Sequence, residues 1–189
     1  MRLRKLKTEF GAALRIEWRS FLLRPEPMQG LDLERFRAYT QSWMRPAEDP
    51  DAGTFRVWQG NAGPPSHSVP PHLVAKAAAT LGEEAFEAVH ERLLHAYFAE
   101  NRDITDSNTL LAIWREAALP EEAFSRREDS ALRESVFREH EEAVEFGVSG
   151  VPAIRLGGNP VPVVGAHPLE VYRRWVERAL EEISREVVS

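Results

Sequence analysis

Apolar and polar residues follow two different periods along this chain, and the changes of period mark its predicted elements. Residues 1–10 repeat apolar positions every three or four residues, which predicts a short helix with basic residues between them. Residues 15–23 begin with strict alternation, which places Ile16 and Trp18 on one face and predicts a strand with one buried face. The helical period returns over residues 31–44. The chain is therefore predicted to begin with a helix, a strand and a second helix.

The rest of the chain alternates between loop, helix and hairpin patterns. Residues 45–71 are rich in proline and glycine, which predicts a long irregular connection. The helical period then continues with short breaks from residue 71 to 146, so this region is predicted to be all helical. Two short apolar segments, 153–156 and 161–165, predict a β-hairpin, and residues 167–183 predict a final amphipathic helix. Together these elements predict an α/β protein that contains a large helical block.

Composition narrows the class of protein without selecting one. The 189 residues suit one domain, or one domain with a sizeable insertion, and carry a net charge of −6. That acidic balance argues against nucleic acid as a partner. No apolar run approaches the length needed to span a bilayer, so no membrane partner is expected. No apolar segment follows the basic N-terminal residues, so the pattern does not predict a secretory signal and we expect a cytoplasmic protein.

Cysteine is absent from the sequence. Disulfides, thiolate nucleophiles and cysteine metal sites are therefore excluded in the chain as given, and we expect no metal site. The polar run at residues 139–142, which contains His140, is interpreted as a solvated helix face with one half-buried histidine. Arg24 either meets an anionic group of a substrate or pairs with Glu26, and we favour the pair.

Residues 146–158, FGVSGVPAIRLGG, combine a helix end, a tight turn and the start of a strand. Gly147 suits the left-handed conformation that ends a helix, and Gly150 permits a sharp turn without a Cβ clash. Val151 precedes Pro152, and only about 5–6% of X–Pro bonds in folded proteins are cis. The order of helix, glycine turn, strand, hairpin and helix around this bond nevertheless favours a cis peptide.

Four stretches of the sequence together resemble the DsbA-like thioredoxin-fold family, specifically its branch of FrnE-type oxidoreductases and 2-hydroxychromene-2-carboxylate isomerases. They occur in the family's order and spacing and cover nearly the whole chain, as WRSFLLRPEP (18–27), SHSVPPHLVAKAA (66–78), LLHAYFAENRDITD (93–106) and FGVSGVPAI (146–154). The resemblance implies a thioredoxin-like α/β fold with a large all-helical insertion. The thioredoxin-like domain would comprise residues 1–65 and 135–189, and the insertion residues 66–134.

The resemblance also implies which residues bind a substrate. Val151 and Pro152 would form the cis-proline loop, whose backbone before the proline faces the active site, and Gly150 belongs to the same turn. Ser66 and His67 open the helical block and would either lie near the active-site groove or cap a helix. The expected partner is a peptide or small molecule that contains a thiol or a disulfide.

The sequence departs from the family at its beginning. Members of the family carry a first β-strand followed by a Cys-Pro-Trp-Cys-like motif, or a serine variant, at a helix N-terminus that stabilises a thiolate. The first residues of this sequence, MRLRKLK, match the interior of that helix, so the first β-strand of the family is apparently absent. We expect that the chain starts at an internal methionine, and a degenerate relative is the alternative. Strand edges exposed by the missing strand make a homodimer a further hypothesis.

Three functions follow from the resemblance. The first is a thiol–disulfide oxidoreductase of the DsbA/FrnE type that is inactive in dithiol exchange as given, so whether this chain is an enzyme stays open. The second is a relative of 2-hydroxychromene-2-carboxylate isomerases and kappa-type glutathione transferases, which would use a serine and bind glutathione; otherwise no cofactor is expected. The third is a non-catalytic module that binds peptides in the cis-proline groove.

Overall fold

The structure is a computed structural model of the chain and describes residues 2–30, 32–49, 51–61, 63–157, 159 and 161–188. These residues divide into two compact units, a smaller one of Met1–Trp18 with Glu142–Ser189 and a larger one of Arg19–Glu141. The domain boundaries predicted from the resemblance remain a prediction.

Most of the described residues are helical. The α-helices are α1 (Arg2–Phe10), α2 (Leu33–Thr40), α3 (Met44–Ala47), α4 (Val69–Ala79), α5 (Glu83–Phe98), α6 (Ser107–Glu116), α7 (Ser130–Glu145) and α8 (Leu169–Val188). Three 3₁₀ segments cover Gly11–Ala13, Gln41–Trp43 and Glu121–Glu128, and two short strands are β1 (Ala153–Ile154) and β2 (Val163–Val164). No helix in the described ranges is long and apolar enough to cross a membrane.

The core of the larger unit is formed by α4, α5 and α6 with the 3₁₀ segment Glu121–Glu128. Val89, Ile113 and Trp114 are fully buried there, as the helical period of the sequence predicts. Burial of apolar surface contributes about 25 cal/mol per Å², so side chains of this size dominate the stability of the unit. Gly82 has a φ of +127°, which lets the chain reverse between α4 and α5. The helical block predicted from the sequence is therefore confirmed.

Aromatic side chains form a second cluster in the larger unit. The ring of Phe36 lies 5.2 Å from that of Trp58, and Trp43 lies 4.9 Å from Phe98, both in edge-to-face contact. Trp58 is 1% exposed, and its backbone N–H donates to the Thr40 hydroxyl at 2.9 Å. The long irregular connection is thus anchored on α2 by a tryptophan rather than by a strand.

The strand predicted over residues 15–23 is wrong. The structure describes all of these residues and assigns none of them to a strand. The predicted alternation of buried and exposed residues is present only in part. Ser20 and Leu22 are buried, but Trp18, which lies on the same predicted face, is 39% exposed. A strand requires the backbone of a neighbouring strand, and the amides of this segment bond instead to side chains of the helical block.

The smaller unit combines α1, the hairpin and α8. Arg173 on α8 donates to Glu9 on α1 at 2.7 Å, and Leu6, Tyr172 and Val176 are buried. The charged pair is partly exposed and contributes little, so the buried apolar side chains hold these helices in the unit.

The predicted hairpin is confirmed. Strands β1 and β2 are antiparallel, with Ala153 opposite Val164 and Ile154 opposite Val163. The Tyr172 hydroxyl donates to the carbonyl oxygen of Gly165 at 3.2 Å and joins the end of the hairpin to the first turn of α8.

Candidate functional site

The loop before β1 begins where helix α7 ends. Gly147 has a φ of +79° and its N–H donates to Val144 O at 2.8 Å, while the N–H of Val148 donates to Ala143 O at 3.0 Å. These two bonds form a Schellman motif, which needs a residue in the left-handed conformation at the position of Gly147. The glycine that the sequence singled out therefore closes α7 and directs the chain into the loop.

The backbone between Val151 and Ala153 forms one edge of the hairpin. The Val151–Pro152 peptide bond is cis, and Pro152 O accepts the N–H of Gly165 at 2.8 Å. Alternate residues of an antiparallel strand direct their N–H and C=O groups towards the partner strand. Because the carbonyl group of Pro152 faces β2 in this register, the N–H and C=O groups of Val151 and Ala153 point away from β2. Within the described residues no hydrogen bond reaches the backbone of Val151, whose side chain is 53% exposed.

Ser66 and His67 lie in the larger unit, in the chain that leads into α4. Their side chains are joined by a hydrogen bond of 2.9 Å between Ser66 Oγ and His67 Nδ1, and Ser66 O accepts the N–H of Met28 at 3.1 Å. The N-cap position of α4 is Ser68, whose hydroxyl accepts the N–H of Arg24 at 3.0 Å. The three candidate residues of the loop before β1, Gly150, Val151 and Pro152, belong to the smaller unit.

Arg24 does not form the predicted pair with Glu26. Its Nη1 donates to the backbone carbonyl of Pro65 at 3.1 Å, and among the described residues it makes no ion pair with any carboxylate. The side chain is therefore turned towards the residues that precede α4, and this contact replaces the local pair that sequence proximity suggested.

Side chains of α4 and α7 bind residues 20–24, which we name the tethered segment. Glu139 accepts the N–H of Ser20 at 2.7 Å and a hydrogen bond from Lys76 Nζ at 2.5 Å. His140 Nδ1 accepts the N–H of Leu22 at 3.2 Å. Glu139 is only 6% exposed, so the interpretation of residues 139–142 as a solvated face is wrong at this position.

The electrostatics of this cluster follow from burial and partners. Burial alone would raise the pKa of Glu139, but the hydrogen bonds from Lys76 and from the backbone of Ser20 outweigh it and lower the pKa. Burial also lowers the pKa of His72, a nearby residue of α4, despite a hydrogen bond with the backbone of Phe21. Glu139 is therefore held as a carboxylate and His72 as a neutral imidazole.

Sequence reasoning missed Lys76 and Glu139. One signal was available, because Glu139 lies three residues after the fully buried Val136 and so shares its helix face. Its partner Lys76 is 63 positions away in the sequence, and no local pattern connects the two.

The described residues contain no cluster of three or more side chains suited to hold a metal ion. The hairpin edge supplies backbone donors and acceptors, and the Ser66–His67 pair supplies a hydroxyl and an imidazole. Both arrangements suit binding through hydrogen bonds.

A glycine-closed helix, a cis-proline turn, an antiparallel hairpin and a final helix occur here in the order of a thioredoxin-like fold. The model of the DSBA-like thioredoxin domain matches residues 1–177, and the chain belongs to that family. The predicted fold class, thioredoxin-like with a large helical insertion, is confirmed, and so is the predicted membership of the DsbA-like thioredoxin-fold family.

Solved structures of low sequence identity share this fold. A candidate protein disulfide isomerase from Nitrosomonas europaea superposes with a TM-score of 0.73 at 15% identity, covering 96% of this chain and 89% of the other. The cytosolic disulfide reductase DsbM from Pseudomonas aeruginosa gives a TM-score of 0.71 at 19% identity, covering 95% and 90% respectively. No curated protein matches the sequence.

Proposed function

We propose that this chain binds an extended thiol- or disulfide-containing peptide along the hairpin edge of Val151 and Ala153, with Gly150 and Pro152 shaping the loop. Its function is that of a DsbA-like thiol–disulfide oxidoreductase family member whose 189 residues hold the substrate without performing dithiol exchange. The location that fits this proposal is cytoplasmic, as for the DsbM neighbour, which is described as cytosolic.

The outward backbone edge carries the proposal. A strand edge presents N–H and C=O groups that pair with an added extended peptide, and such pairing supplies affinity with little dependence on side chains. The register between β1 and β2 turns the backbone groups of Ala153 outwards, and Val151 continues the same edge. This edge belongs to the part of the chain that the DSBA-like family model matches.

Chemistry limits what the same edge can do. Dithiol exchange requires a thiolate that attacks a disulfide sulfur, and the sequence contains no cysteine. Holding a substrate requires only the backbone edge, so binding and exchange are separable in this chain.

The test replaces an outward backbone donor. Ala153→Pro removes the outward N–H of residue 153 and leaves the bonds to β2 intact, because proline is tolerated at a strand edge. A fluorescein-labelled insulin B chain, kept reduced with a phosphine so that its thiols are free, serves as the extended probe, and fluorescence anisotropy measures its affinity. Loss of one hydrogen bond should weaken binding about three- to ten-fold.

Ala153→Val is the matched control, because it keeps the N–H and should retain the parent affinity. Equal affinities of the parent and the proline variant would exclude the edge as the binding site. Absence of saturable binding by the parent would exclude the function itself.

A further inference from the structure

Arg155 directly follows strand β1 and lies two residues beyond Ala153. Successive side chains of a strand point to opposite faces, so residues 153 and 155 share one face of the hairpin. The side chain of Arg155 is exposed. The hairpin edge that carries the proposed function therefore has a cation at the end of β1.

The guanidinium of Arg155 is held over an aromatic ring. Its central carbon lies 4.0 Å from the centre of the ring of Phe146, the residue that follows α7. An arginine over an aromatic face keeps its N–H donors around the rim of its plane, where a carboxylate can bind two of them. Among the described residues Arg155 forms no ion pair, not even with Glu145, the neighbour of Phe146 in the sequence.

Position distinguishes Arg155 from the other arginines that have such a contact. Arg127 and Arg133 also lie over phenylalanine rings, but both belong to the larger unit. Arg155 belongs to the smaller unit and adjoins the strand whose backbone groups point outwards. The contact with Phe146 thus fixes a cation next to the edge proposed to bind a peptide.

A peptide added to the hairpin edge would place one of its residues opposite Arg155. Residues directly opposite each other in a ladder have Cβ atoms about 4.5–5.5 Å apart on the same face, and opposite charges in such pairs attract. That peptide residue lies two positions from the one opposite Ala153. Backbone pairing supplies the affinity of such a complex, and side chains at alternate positions supply its specificity.

We propose that Arg155, positioned by Phe146, makes the hairpin edge selective for extended peptides with an acidic residue opposite it. The substrate class is therefore an acidic peptide that contains a thiol or a disulfide. This inference rests on the proposed function, because Arg155 meets a peptide only when the edge binds one. Arg155 determines specificity, and Phe146 is a positioning residue that acts through the guanidinium.

The test compares two short fluorescein-labelled peptides that share a central cysteine, kept reduced with a phosphine. One carries glutamate and the other glutamine at every second position from the cysteine, so one of these residues lies opposite Arg155 when the cysteine is opposite Val151 or Ala153. Fluorescence anisotropy should give an affinity about two- to five-fold higher for the glutamate peptide. The net charge of −6 on the chain would by itself favour the neutral peptide, so this preference requires a local cation.

Three variants assign the preference to its residues. Arg155→Gln should abolish it and leave the affinity for the glutamine peptide unchanged. Phe146→Leu keeps an apolar side chain without the ring, and it should reduce the preference with no effect on the glutamine peptide, which a merely structural role would not produce. Arg178→Gln is the matched control, because it removes the same charge from an exposed arginine of α8 in the same unit, and it should retain the preference.

The outcomes separate this selectivity from the function on which it rests. Saturable binding of both peptides with equal affinity would keep the edge as a binding site and overturn the selectivity. Equal loss of the preference in the Arg155 and Arg178 variants would also overturn it, because general charge would then explain the effect. No saturable binding of either peptide would overturn both proposals.

Ionic strength gives a readout that needs no variant. An exposed ion pair is screened at about 1 M salt, where the Debye length is about 3 Å, so the two peptides should then bind the parent equally. A preference that persists undiminished in high salt would overturn the role of Arg155, even if Arg155→Gln or Phe146→Leu failed to fold.

Discussion

At the scale of single residues, Glu139 joins three parts of the larger unit. Its carboxylate binds the amide of Ser20 and the ammonium of Lys76, so α7, the tethered segment and α4 meet at one side chain. Burying a carboxylate costs free energy unless hydrogen-bond partners replace its lost hydration. Removing either the carboxylate or a partner leaves the remaining group buried and unpaired.

Glu139→Ala should destabilise the protein by about 2–4 kcal/mol, because the amide of Ser20 and the charge of Lys76 lose their acceptor in a buried place. Urea denaturation measures the change in the free energy of unfolding. Glu141→Ala, on the exposed face of the same helix, is the control and should stay within about 0.5 kcal/mol of the parent. Similar losses in the two variants would mean that helix propensity, and not the buried network, sets the effect.

At the scale of elements, local signals predicted helices well and the tethered segment poorly. Asp106 is the N-cap of α6, and its Oδ2 accepts the N–H of Thr109 at 2.7 Å. The bond lies within one turn, so the sequence alone suffices to predict it. Residues 15–23 alternate like a strand, yet their partners are side chains from distant helices, which alternation cannot reveal.

Asp106→Ala should cost about 1 kcal/mol, because the first turn of α6 loses the acceptor for one of its free amides. Thermal or urea denaturation gives the value, and Asp106→Asn should recover most of it since asparagine also caps. An alanine variant as stable as the parent would show that tertiary contacts alone maintain the start of the helix.

At the scale of the whole molecule, the fold was predictable because its signals are spread over the chain. The four resembling stretches and the hairpin pattern at residues 153–165 sufficed for the family and its fold. Of the candidate site, the loop around Val151 and Pro152 was predictable from local sequence. The orientation of Arg24 and the partner of Glu139 were not, because both depend on contacts between residues more than forty positions apart.

The absence of thiols gives a prediction for the whole protein. With dithiothreitol as the reductant, the chain should not accelerate insulin reduction above the rate of dithiothreitol alone, because no residue forms the mixed disulfide. Turbidity of the precipitating B chain measures the rate, and a dithiol oxidoreductase run in parallel shows that the assay responds. A rate above the reductant alone would refute the proposed separation of binding from exchange.

The tethered segment also bears on which changes of length the chain tolerates. Ser20, Leu22 and Arg24 each present an amide to a different side chain, and the three partners are fixed on helices or next to one. Inserting or deleting a single residue among them would move every later amide away from its acceptor. Among relatives, indels should therefore be rarest in a stretch without regular secondary structure, against the usual association of such stretches with variable length.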